Sequence, residues 1–152
     1  MLAAALARLA REGLEVVAAS PAVASDPVGP SIRRYANAAA IVETALEPPA
    51  LLALLKRVER DFGRRAGGRR WRARVLDLDV VLWSGGAHSS PGLTIPHPLF
   101  RRRRFVLIPA ATIAPAWRDP LSGLTLRQLR ARLTGPRPLP KRAAQDREVP
   151  GP

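Results

Sequence analysis

Apolar residues recur along this chain in two periods, near three and a half and near two. Leu2, Leu6 and Leu9 stand at helical spacing with Arg8, Arg11 and Glu12 between them, and Gly13 follows where a helix can end. Residues 14–20 then read as a strand. Across residues 35–46 the period is two, so that Tyr35, Asn37, Ala39 and Ile41 share one face of an extended segment. Pro48 and Pro49 open the strongest helical stripe, formed by Leu51, Leu54, Leu55, Val58 and Phe62, with Gly63 as its stop. Residues 75–83 form a second strong strand, and the SGGAHSSPG that follows reads as turns, with His88 a loop residue. Residues 101–114, RRRRFVLIPAATIA, predict the start of a helix that contains Pro109. Residues 124–133 predict a short amphipathic helix, with Thr125 and Gln128 spaced as a capping box and Leu126, Leu129 and Leu133 facing the core.

Loops separate these elements. SDPVGP, residues 25–30, is one by its Pro and Gly content, and GRRAGGRRWR, residues 63–72, is a basic Gly-containing loop with one aromatic. Beyond Thr134, five prolines and mixed charges predict a disordered tail over residues 135–152. Strands separated by helices, some of them neighbours in hairpin fashion, indicate an α+β sandwich of one sheet and packed helices.

Composition narrows the class. A chain of 152 residues suits one domain, long enough to bury about 68–70% of its unfolded surface. No window reaches the roughly 18 uninterrupted apolar residues of a membrane span, so the chain reads as soluble. The N-terminal MLAAALARLAREGLEVVAA lacks a basic leader and is broken by Arg8, Arg11 and Glu12, which favours a mature helix over a signal peptide. The absence of cysteine excludes disulfides and thiolate metal sites and fits a cytoplasmic setting. With 25 Lys+Arg against 12 Asp+Glu the formal charge is +13, a field that attracts nucleic acid, nucleotides or acidic membranes without choosing among them.

The candidate chemistry centres on RVLDLDVVLW. In an extended chain Leu76, Leu78, Val80 and Leu82 point one way, and Asp77 and Asp79 share the other face. Two carboxylates ~6–7 Å apart repel by under ~1 kcal/mol in water and by ~2–3 kcal/mol at an effective dielectric near 20. Such a pair calls for a cation. Hard oxygens on a rigid segment suit Mg²⁺, which keeps its other positions for water and phosphate oxygens; pairing with nearby arginines is the alternative. Arg64, Arg65, Arg69, Arg70, Trp71, Arg72 and Arg74 precede the pair, and guanidinium groups beside metal-bearing carboxylates have the layout of a phosphoryl-transfer site. Trp71, an aromatic in a polar loop, can stack on a ring. His97 is held between Pro96 and Pro98 and is followed by Arg101 to Arg104, which suits a phosphate contact or a structural role. No Gly-rich phosphate loop, zinc spacing or nucleophile elbow is present.

Taken in order, SDPVG, RYANAA, the Glu59-containing helix, RRWRARVLDLDVVLW, LTIPHPLF and RRRRFVLIPAATIAP resemble the 6-hydroxymethyl-7,8-dihydropterin pyrophosphokinase family of folate biosynthesis over residues 2–134. The resemblance implies a ferredoxin-like αβα sandwich, mostly antiparallel, with helices on both faces. It implies transfer of pyrophosphate from ATP to the pterin hydroxymethyl oxygen, with release of AMP and two Mg²⁺ ions held by Asp77 and Asp79. By the same resemblance Ser25, Val28, Tyr35, Asn37, Trp71 and Phe105 would line a pterin pocket. Glu59, Trp71, Arg74, Thr94, His97 and Arg103 would contact ATP, with Arg64 and Arg74 joining the two aspartates in catalysis. The family ordinarily has a strand ending in Gly-Ser-Asn before the first helix, so the expectation is an N-terminally truncated catalytic domain, residues 1–134. The expected partners are small molecules, with no membrane, nucleic acid disfavoured and a monomeric state. Two alternatives stand beside this reading: an inactive relative that only binds nucleotide, and a small basic nucleic-acid-binding protein.

Overall fold

Helix α1, Leu2–Arg11, turns Ala5 and Leu9 into the core, and Gly13 at φ +92° lets the chain reverse into β1, Glu15–Ala19. The chain is seen in a computed structural model that describes residues 1–25, 35–65 and 76–135. Strand β1 pairs antiparallel with β4, Ala40–Glu43, and β2, Val23–Ser25, pairs antiparallel with β3, Tyr35–Asn37. The two pairs run on as one bent ribbon: Glu15 faces Glu43, Ala19 faces Ala40, and Val23 faces Asn37. The first arm carries an extra residue twice, between Val16 and Ala18 and again across Ser20 to Ala22, and each insertion flips the side-chain alternation. At the second, Ser20 N–H donates to Ala39 O while the Ser20 hydroxyl accepts from Ala39 N–H, so a side chain replaces a carbonyl where Pro21 interrupts the ladder.

Helix α2, Pro48–Arg65, lays Leu54, Leu55 and Val58 on α1, Leu14 and Leu76. Ion pairs stitch the same helices from outside. Arg8 donates to Glu12 at 2.9 Å and to Asp61 at 2.8 Å, and Arg57 reaches Glu12 at 3.2 Å. Asp61 is held below the usual carboxylate range, chiefly by Arg8 and then by Arg64.

Strands β5, His88–Ser90, and β6, Leu93–Ile95, make a short hairpin turned at Gly92, whose φ is +75°. A 3₁₀ turn, Phe100–Arg102, leads into α3, Arg104–Ile113, and α4, Leu126–Thr134, packs against it. The second core, of Phe100, Leu107, Ala110, Ala111, Leu126 and Leu129, lies between these helices and Ala39, Ile41, Val81 and Leu82. Val42, Leu78 and Val80 pack instead on the first core. Strand β4 and residues 76–83 therefore send neighbouring side chains into two different cores.

The α+β class stands, and the elements are antiparallel as expected; the single sheet is replaced among the described residues by three two-stranded units. Residues 76–80 alternate in burial as an extended segment does, yet residues 76–83 form no ladder among the described residues; their described backbone bonds go to a side chain and to a loop amide. The segment 35–46 is two strands, broken at Ala38 and Ala39 where the partner arm bends. Helix α2 runs past Gly63 to Arg65, since Asp61 and Arg64 pair across the glycine. The helix expected over residues 101–114 begins only at Arg104. His88, expected in a loop, opens β5, with Nε2 2.8 Å from Ser90 Oγ and its ring edge-on to Trp83. The capping box at Thr125 and Gln128 is present in both directions. Among the described residues no helix is long and apolar enough to cross a membrane.

Candidate active site

Asp77 and Asp79 are exposed while Leu76, Leu78 and Val80 turn inward, so alternation alone places both carboxylates on the outer face of residues 76–83. Two hydrogen bonds tie the backbone of this segment to other described residues. Leu78 N–H donates to Glu59 Oε1 at 2.7 Å, and His97 N–H donates to Val81 O at 3.0 Å. The first ties it to α2 and the second to the loop after β6. Glu59 retains 10% side-chain exposure, and Lys56 lies 3.4 Å from its other oxygen.

His97 follows the cis Ile95-Pro96 peptide and is partly buried. Its Nδ1 accepts from Leu99 N–H at 3.2 Å, which leaves the proton of the neutral ring on Nε2 as a donor for an anionic oxygen. Thr94 is exposed at the centre of β6, opposite Ser89, and β6 packs on α2, the helix that carries Glu59.

A second group gathers around α3, which packs against β2, β3 and β4. Tyr35 is exposed at the start of β3 opposite Ser25, and Asn37 at its end donates to Tyr35 O at 3.2 Å and to Val23 O at 3.5 Å. Phe105 lies in the first turn of α3, and the Arg103 guanidinium sits over its ring, 5.9 Å from the centroid. An aromatic ring and a side-chain amide are the groups that can recognise a flat heterocycle.

Arg64 projects from the end of α2, exposed and ion-paired with Asp61. Val28, Trp71 and Arg74 lie outside the described residues, as do residues 66–75 as a whole. Among the described residues no cluster of three or more His, Cys, Asp or Glu side chains could hold a metal. Two carboxylates are a donor set that fits Mg²⁺, which takes one or two carboxylates and keeps its other positions for water and phosphate oxygens.

One member of the RRRR run has a different fate. Arg101 donates Nε to Asp119 Oδ2 at 2.5 Å and Nη2 to Oδ1 at 2.7 Å, with its guanidinium 4.7 Å from the Phe100 ring centroid. Asp119 also accepts from Leu121 N–H and the Ser122 hydroxyl. The sequence reading missed this clasp; the Asp-Pro-Leu-Ser-Gly turn at residues 119–123 is the signal that could have flagged Asp119.

Residues 1–115 match the 7,8-dihydro-6-hydroxymethylpterin-pyrophosphokinase family. A 2-amino-4-hydroxy-6-hydroxymethyldihydropteridine pyrophosphokinase of Synechocystis sp. is 41% identical over 77% of this chain and 60% of its own length. The protein of the same name from Methylorubrum extorquens is 38% identical over 88% of this chain and 84% of its own. That of Pseudomonas aeruginosa is 41% identical over 69% and 65%. The chain thus spans less than two thirds of two of these three relatives.

Proposed function

This chain belongs to the 7,8-dihydro-6-hydroxymethylpterin-pyrophosphokinase family, and from that premise we propose that it transfers the pyrophosphoryl group of ATP to the hydroxymethyl oxygen of 6-hydroxymethyl-7,8-dihydropterin. The products are AMP and the pterin diphosphate, and the step belongs to folate biosynthesis. The observation that carries this reading is the exposed Asp77 and Asp79 pair on a segment held between α2 and His97.

Asp77 and Asp79 would hold Mg²⁺, two ions in the full site, which would supply neutralisation of the charge on the phosphate oxygens. His97 and Arg103 bind phosphate oxygens through N–H donors, and Thr94 adds a hydroxyl at the same end. Tyr35, Asn37 and Phe105 orient the pterin, with Ser25 at the end of β2 and, by family resemblance, Val28. By family resemblance Trp71 and Arg74 serve the substrates, and Arg64, at the end of α2, joins Arg74 and the two aspartates in catalysis. Positioning and electrostatics carry the rate, so no strong general base is required of this chain.

The fold we infer for the catalytic domain, residues 1–134, is a ferredoxin-like αβα sandwich. Its support is that β4 and residues 76–83 send neighbouring side chains into two helix-lined cores. The same reading makes the protein a cytoplasmic monomer acting on small molecules, with residues 135–152 a tail outside the domain.

The test is AMP release from ATP and Mg²⁺ by the 152-residue chain, with and without the pterin. Pterin-dependent AMP is expected. AMP formed equally without pterin, or none from folded protein, overturns the reading.

A further inference from the structure

Residues 76–83 carry both candidate metal ligands without a ladder on either edge among the described residues. An extended segment so placed can twist, and rotation of the peptide joining Asp77 to Leu78 changes the separation and aim of the two carboxylates. The N–H of that peptide is the group that Glu59 Oε1 accepts, at 2.7 Å. Backbone polar groups of successive residues in an extended chain point to opposite edges. The bond at Leu78 and the bond from His97 to Val81 therefore restrain the segment from opposite sides.

Glu59 is suited to this. It follows Val58, which is fully buried in the first core, so its backbone is fixed by packing on an 18-residue helix. Its side chain is nearly enclosed, and Lys56 offsets its charge on the second oxygen. An ionised acceptor makes a shorter and stronger bond than a neutral one, which favours a carboxylate where a single bond must resist twist.

We propose that Glu59 is a positioning residue for the cation site: its carboxylate clamps the Asp77–Leu78 peptide and so sets the Asp77 and Asp79 carboxylates for a divalent cation shared with nucleotide phosphates. It acts through the backbone and makes no direct contact with the nucleotide. The inference rests on the assignment of Asp77 and Asp79 as metal ligands above, and it replaces the ATP contact that family resemblance suggests for Glu59.

The experiment is a Mn²⁺ titration of the full chain followed by electron paramagnetic resonance, with a non-hydrolysable α,β-methylene ATP analogue present. Residue-resolved hydrogen exchange of the Leu78 amide and metal-free binding of the analogue accompany it. Removing a group that orients metal ligands typically costs roughly 10–100-fold in metal affinity. Glu59→Ala is expected to show that loss together with faster Leu78 exchange. Glu59→Gln, which keeps an acceptor oxygen and guards against a merely unfolded variant, is expected to recover most of the Mn²⁺ affinity and of the amide protection. Metal-free analogue binding is expected to be the same in all three proteins. The proposal is overturned if Glu59→Gln loses as much Mn²⁺ affinity as Glu59→Ala, if Glu59→Ala binds Mn²⁺ as the parent does, or if metal-free analogue binding falls in either variant. A parent chain that binds Mn²⁺ but makes no pterin-dependent AMP would overturn the proposed reaction alone, leaving the clamp to be decided by the titration.

Discussion

Asp119 is fully buried, and its two oxygens meet the forked guanidinium of Arg101, the Ser122 hydroxyl and the Leu121 amide. Asp77 and Asp79 stand exposed, on a segment whose Leu76, Leu78 and Val80 turn into the first core. The first carboxylate is spent on structure: it closes the loop between α3 and α4 onto the 3₁₀ turn. The other two are presented outward by residues that are themselves buried. Burial with its partners saturated marks a structural aspartate, whereas the proposed ligand role of Asp77 and Asp79 draws on their exposure.

The sharpest way to break this contrast is to neutralise each kind. Asp77→Asn or Asp79→Asn is expected to lower AMP formation by roughly 10²–10³-fold, about 3–4 kcal/mol of barrier, with little change in the urea midpoint. Unchanged turnover in both variants would refute the metal assignment. Asp119→Ala is expected to do the reverse, removing about 3 kcal/mol of stability in urea titrations. That is the lower end for breaking a buried pair, because Arg101 keeps 29% side-chain exposure and can regain water. A loss below about 1 kcal/mol would show that the clasp behaves as a surface pair.

Acid provides a finer probe. Arg101 first, then Ser122 and the Leu121 amide, hold the Asp119 carboxyl well below the usual range, against the opposing effect of burial. A carboxyl depressed in the folded state contributes its full stabilisation above its unfolded value near ~3.9, and loses it as pH falls toward the folded value. The parent chain is therefore expected to lose more stability between pH 6 and pH 3 than Asp119→Asn; equal losses would sink this account. The smallest expected effect is at the other end of the same loop. Thr125→Ala removes the N-cap of α4 and is expected to cost about 1 kcal/mol, read as a shift in the urea midpoint at constant slope.

Several of these features were legible beforehand. The Thr125 and Gln128 capping box, the stripe from Leu51 to Phe62 and the shared face of Asp77 and Asp79 each depend on contacts within a few residues, where spacing is a sufficient guide. The hairpin at His88 to Ile95 was missed because its strands are three residues long and its first is polar, so no alternating run announces it. Arg101 was read with its neighbours as one basic run; nothing near it in sequence distinguishes the arginine that Asp119 captures from those that stay exposed, Arg102 and Arg104.

The sequence by itself determined the helices, their core faces, the outward pair of aspartates and, through ordered motifs, the family. Tertiary structure alone decided which segments pair, that residues 76–83 are held by Glu59 and His97 instead of a ladder, and that Arg101 belongs to Asp119. The Leu78 to Glu59 and Arg101 to Asp119 contacts join residues 19 and 18 positions apart. Periodicity and capping are settled within about one helical turn, whereas such contacts form only after packing of two separate elements has offset the entropy of closing the chain between them.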